Sequence, residues 1–268
     1  RQTAPHPRRR QRGHVQAGRL GERAFKLIEM LSPHSPFRNI PFNIDRRQAF
    51  FLDGMRHAIE IADLSFKRLR NELEYISILS REKRLPNDTF SKCFLDAWAF
   101  VDSLYRFIGL WKLQPASSSL PIQYSTSKIA EKFKSIADIR NVSDHLAQKS
   151  DQVLASKTAS LGVLTWIAFL EDQPLTVGTF LIAPGVIAPT IKETLETSVG
   201  KRDAFSRVIN IQLRAGPHKA NLSEAYYFLK EIVSFAEKSL SENISKHDHL
   251  PSCGADVFIS ALLDVRDE

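Results

Sequence analysis

Residues 46–84, RRQAFFLDGMRHAIEIADLSFKRLRNELEYISILSREKR, carry Phe50, Met55, Ala58, Ile59, Ala62, Phe66, Leu69, Leu73 and Ile76 at steps of three and four. Such steps return to one face of a helix with 3.6 residues per turn, so the stretch predicts one long amphipathic helix with a buried stripe. Asp45 stands at the N-cap position, where a carboxylate can accept the first free backbone N–H groups, and Leu85-Pro86-Asn87-Asp88 supplies a stop.

The same period continues outward. Residues 91–113 predict a second helix with Phe94, Leu95, Trp98, Val101, Tyr105, Ile108 and Trp111 inward. Residues 114–127, with Pro115, three serines in a row and Pro121, read as a loop. A third helix is predicted over 127–154, its stripe formed by Ile129, Phe133, Ile136, Ile139, Val142, Leu146 and Val153. The pattern then changes. Residues 163–170 and 175–182 are β-branched and aromatic runs joined by Glu171-Asp172-Gln173-Pro174, which predicts a hairpin, and 207–213 adds a third strand. After the Gly216-Pro217-His218 turn, Asn221 or Ser223 can cap a fourth helix reaching about 240, with Ala225, Phe228, Leu229, Ile232, Phe235 and Ala236 inward. The expected fold is mainly α: a four-helix bundle, residues 46–160 and 220–243, with a small antiparallel β insertion, 161–216, between the third and fourth helices. Residues 1–45 read as a basic, disordered N-terminal segment and 244–268 as a polar C-terminal segment. No internal repeat and no glycine-rich phosphate loop is present.

With 268 residues, 43% hydrophobic and 25% charged, the chain can bury a core. Its longest apolar runs fall well short of the roughly 20 residues a membrane helix needs, so no membrane association is expected. The formal charge of +7 invites an RNA-binding reading, but residues 1–24 hold seven arginines against Glu22. That tail accounts for +6, leaving the body near neutral. It reads as a disordered flank or foreign upstream sequence, with an RNA-touching arm or an organelle presequence as the alternatives. Cys93 and Cys253 are far apart and form no CxxC pair, which argues against a disulfide framework or zinc ribbon and for a reducing, cytoplasmic setting. His247-x-His249-x3-Cys253 lacks a fourth ligand, so no metal is expected, and no cofactor either.

The chemically pointed segment is Arg140-Asn141-Val142-Ser143-Asp144-His145 on the third predicted helix. In a continuous helix Asn141 and His145 stack as one i, i+4 pair and Arg140 and Asp144 as another, so the four polar side chains share one patch. Arginine offers a fixed fork of donors suited to phosphate, and histidine moves protons near neutrality. Asp102 falls between Trp98 and Tyr105 at helical spacing and is expected to point into the bundle, where it needs a partner: Arg106 one turn on, or Arg140 or His145 of the neighbouring helix. His57 reads as a side chain at the core boundary. Ser65, Ser77 and Ser103 lack a nucleophile-elbow context, and the three tryptophans are spaced as core residues.

Arg140, Asn141 and His145 together resemble the Arg-x4-6-His motif of the HEPN superfamily, in which the residue after the arginine is typically Asn, Asp or His. The resemblance covers roughly residues 46–155 and 221–242. It implies a helical bundle that dimerises with two motifs facing one cleft, in a toxin or antiviral setting with an antitoxin-like partner. For active members it implies metal-independent endoribonuclease chemistry. Carried over, Arg140 would bind phosphate, His145 would serve as acid or base, and Asn141 would orient. The competing expectation is a non-catalytic helical interaction module whose polar patch knits helices together.

Overall fold

A computed structural model describes residues 29–42, 44–80, 88–113, 121–172, 175–184, 206–244, 252–253, 256 and 259–260. Its elements, in chain order, are β1 (Ile40–Pro41), α1 (Arg46–Leu79), α2 (Thr89–Leu113), a short 3-10 turn (Ile122–Tyr124), α3 (Thr126–Lys132), α4 (Lys134–Asp144), α5 (Leu146–Ala155), β2 (Val163–Asp172), β3 (Leu175–Ile182), β4 (Val208–Ala215), β5 (His218–Asn221), α6 (Leu222–Ile244) and β6 (Ser252–Cys253). The protein is mainly helical with a four-stranded antiparallel sheet in the order β3-β2-β4-β5.

α1 begins where its cap residue dictates: Asp45 Oδ1 accepts the backbone N–H of Arg47 at 3.0 Å and of Gln48 at 3.2 Å. Its expected stripe is buried from Met55 to Ile76, but Phe50 is exposed and Phe51 takes its place in the core. The stop at Leu85-Pro86-Asn87 lies outside the described residues. α2 packs along α1 with Phe94, Val101, Ile108 and Trp111 of its expected stripe buried, but its inward face is rotated from the one its spacing suggested. Phe100, Leu104 and Phe107 are inward, whereas Leu95 and Tyr105 are exposed. This helix is apolar nearly all round, so the period alone leaves its rotation open, and packing against α1 decides it.

The third predicted helix is three. Phe133 interrupts it at φ −96° and His145 at φ −111°. The apolar stripe survives both breaks, with Ile129, Phe133, Ile136, Ile139, Val142 and Val153 all buried, and Phe133 meets the Phe228 ring at 5.1 Å. No glycine or proline lies between 126 and 155 to signal either break.

The sheet is no appendage to a bundle. Its inner face shares one core with α1, α2, α4 and α6: Leu164, Trp166, Ala168, Val208, Ile211 and Leu213 join Phe66, Phe100, Ile139 and Leu229. On the other face Ile167, Phe169 and Ile209 form a second small cluster with Val177. Burial on both faces explains why β2 reads as a continuous apolar run rather than an alternating one. Trp166 Nε1 donates to Ser77 Oγ at 2.8 Å, tying β2 to α1. β4 carries a bulge, with the register shifting between Thr165 and Ile167 of β2 and Asn210 at φ +53°. Asparagine is among the few side chains that tolerate this left-handed backbone. Ser223 Oγ accepts the Ile211 N–H at 2.9 Å beside that bulge, which leaves Asn221 to cap α6 through Glu224 N–H at 3.1 Å. β5 stands where only a turn was expected. At the start of β2, Gly162 has φ +90°, and a Cβ there would lie 2.4 Å from the Arg214 carbonyl oxygen, so the β2–β4 pairing demands glycine.

Residues 29–42, 44 and 45 were expected to belong to a disordered flank, yet they include packed positions. Leu31, Phe37 and Ile40 are buried, the Met30 N–H donates to Asp63 at 3.0 Å, and β1 pairs with β6. Residues 1–28 lie outside the described residues. No helix among the described residues is long and apolar enough to cross a membrane.

Candidate functional site

Arg140 sits on the last full turn of α4, on the side facing α2. Its guanidinium forms ion pairs with Asp102 of α2 and with Asp144 one turn on, and its Cζ lies 5.7 Å from the Tyr105 ring centre. The partner left open for Asp102 is therefore Arg140. Asp102 itself is not in the bundle interior as its spacing suggested: its side chain is 48% exposed, because α2 turns Phe100, Leu104 and Phe107 inward and carries Asp102 to the edge. Arg106 is exposed.

Asn141 and His145 are both exposed, but they do not share a helix turn as expected. α4 ends at Asp144, and His145 occupies the junction with α5. Its carbonyl accepts the Gln148 and Lys149 N–H groups at 3.0 and 2.9 Å, starting the new helix. The Lys149 ammonium reaches back to the Asn141 carbonyl at 3.5 Å. Four expected residues thus divide in two: Arg140 and Asp102 are locked across the α2–α4 seam, and Asn141 and His145 face solvent. A cavity of about 410 Å³ opens on α5, lined by Leu146, Ala147, Ser150, Val153, Leu154, Thr158 and Ser160. No charged side chain lines it.

Two further clusters were not anticipated. Asp63, Lys67 and Tyr226 are buried together: Asp63 Oδ2 accepts Lys67 Nζ at 2.6 Å, and Oδ1 accepts the Tyr226 hydroxyl at 2.7 Å. Burial and the adjacent carboxylate push the Tyr226 phenol well above its ordinary range, so it stays protonated and donates. Asp63 and Lys67 were legible as an i, i+4 pair, but Tyr226 comes from α6, 163 positions from Asp63, and no local signal links them.

At the start of α1, Asp53, His57 and Asp256 bring ligand-type atoms within 4.8 Å of one another. Arg56 occupies their centre, with Nη2 at 3.0 Å from Asp53, 2.5 Å from Asp256 and 2.8 Å from His57 Nε2. The carboxylate of Asp256 donates no proton there and accepts from Arg56, which holds its carboxyl below the usual range and lifts the guanidinium's own. A guanidinium in that position competes with any cation, and it ties Asp256 to α1 by an ion pair. The His247 and His249 pair lies outside the described residues.

The described residues form a mainly helical protein whose antiparallel sheet shares a core with its helices. No family model matches the sequence, and neither a curated protein nor a solved structure matches the chain.

Proposed function

We propose that this is a non-catalytic helical interaction module of HEPN-like ancestry, in which the Arg140 patch fastens α4 to α2. The carrying observation is that Asp102 and Asp144 both engage the Arg140 guanidinium. Two carboxylates outnumber the one cation they hold, so a phosphate approaching Arg140 meets repulsion and must displace two existing ion pairs. The four helical stretches α1, α2, α3 to α5 and α6 support a bundle origin, with the sheet wedged into it.

The second reading, a metal-independent endoribonuclease acting on RNA as a homodimer, draws on the exposure of Asn141 and His145 at the helix junction. One pair of measurements separates the two. Under the proposal, Arg140→Ala lowers the melting temperature and the wild type leaves RNA intact in EDTA. Cleavage that disappears in His145→Ala, with an unchanged melt for Arg140→Ala, would establish the nuclease instead.

A further inference from the structure

Between residues 61 and 78, α1 leaves six positions exposed: Ile61, Leu64, Arg68, Asn71, Tyr75 and Ile78. Four are large apolar side chains between 41% and 55% exposed. Their spacing is three, four, three, four and three, which is the period of a coiled-coil seam, and it runs roughly 26 Å along the helix at 1.5 Å per residue. Every other position in the interval is buried or half-buried against the protein's own core or its edges. Ile61 with Leu64 and Tyr75 with Ile78 thus form two exposed apolar pairs flanking polar Arg68 and Asn71, and apolar side chains grouped on one surface mark a binding face.

The stripe also states its partner. Read backwards it has the same spacing, so an antiparallel copy places Ile61 opposite Ile78, Leu64 opposite Tyr75, and Arg68 opposite Asn71. This is the self-complementarity that a two-fold interface requires, with residue i on j and j on i. Charge selects the direction. Arg68 lies on the α2 side of the stripe, where it pairs with Asp96 at 3.3 Å, and its side chain is still 54% exposed. Glu72 follows one turn later. In the antiparallel arrangement Arg68 meets Glu72 of the other copy at both ends of the centre, whereas a parallel arrangement sets arginine against arginine. We infer that two copies of this chain associate antiparallel through the α1 stripe from Ile61 to Ile78.

Six residues a side is well below the roughly 20–30 of a standard interface, so the dimer is expected to be reversible and dilution-sensitive. Sedimentation velocity from about 1 to about 100 μM, the range for weak association, should show the wild type passing from monomer to dimer. Leu64→Glu and, separately, Tyr75→Glu should each weaken the dimer at least tenfold with unchanged circular dichroism melts, since both side chains are exposed in the monomer. Register is read in a Cys253→Ser background. Burial pushes the Cys93 thiol up to about 12 and keeps it out of reach. A short bismaleimide should then join Leu64→Cys to Tyr75→Cys when the two variants are mixed, and neither to itself. A wild type that stays monomeric, a dimer indifferent to both glutamates, or self-linking of each cysteine variant would overturn the inference. None of these outcomes bears on Arg140→Ala, so failure here is distinct from failure of the clamp.

Discussion

Two polar clusters hold helices together in this protein, and they differ in depth. Asp63, Lys67 and Tyr226 lie inside the core and join α1 to α6, with Met30 N–H completing the shell around the carboxylate. Arg140, Asp102 and Asp144 join α4 to α2 at the surface, with the two carboxylates 48% and 44% exposed. The segment 140–145 announces itself in the sequence as chemistry, yet its arginine is neutralised by neighbours. The buried cluster shows in the sequence only as the i, i+4 pair of Asp63 and Lys67, with no sign of Tyr226, and carries the larger energetic stake. Water can replace a lost partner in the second cluster but not in the first.

Removing the centre of each cluster sharpens that difference. Asp63→Ala takes the carboxylate from a buried lysine and a buried phenol, which costs about 3–5 kcal/mol. At about 2–4 °C per kcal/mol for a domain of this size, the thermal midpoint should fall on the order of 10 °C. Arg140→Ala releases two half-exposed carboxylates and a contact with the Tyr105 ring, a loss of about 1–2 kcal/mol and several degrees by the same measurement. If the surface variant costs as much as the buried one, the distinction by depth fails.

The smallest effect has the opposite sign. Burial raises the carboxyl of Asp96, outweighing the nearby Arg68. A carboxyl whose folded value lies above its unfolded one favours folding fully below the unfolded value, and that contribution is lost as pH rises through the folded value. The wild type is therefore penalised at neutral pH. Asp96→Asn should raise the melting temperature there by less than the equivalent of about 1 kcal/mol, and the gap should close on acidification into the carboxylate range. Melts of both proteins across pH check this; a gap that widens in acid contradicts it.

The segment around the candidate site shows where reading from sequence stops. Arg140 and Asp102 were both singled out, and they do meet, because an isolated carboxylate near an apolar stripe needs a cation and few were in reach. Their depth was not legible. Asp102 looked inward because Trp98 and Tyr105 flank it, but α2 has apolar residues on most of its circumference, so several rotations satisfy its period equally. His145 looked helical because the apolar stripe crosses it without interruption, and only the three-dimensional course of α4 and α5 shows the break.

What the sequence determined by itself is the local layer: the start of α1 at Asp45, the helical lengths of α1, α2 and α6, and the extended runs of β2, β3 and β4. These follow from caps and periods that act over a few residues. Only the tertiary structure decided which face of α2 is inward, that the sheet enters the core instead of hanging from it, that Tyr226 completes Asp63, and that the outer stripe of α1 from Ile61 to Ile78 stays uncovered. Each of those depends on contacts between residues far apart in the chain, and a one-dimensional period carries no information about which distant surface arrives to meet it.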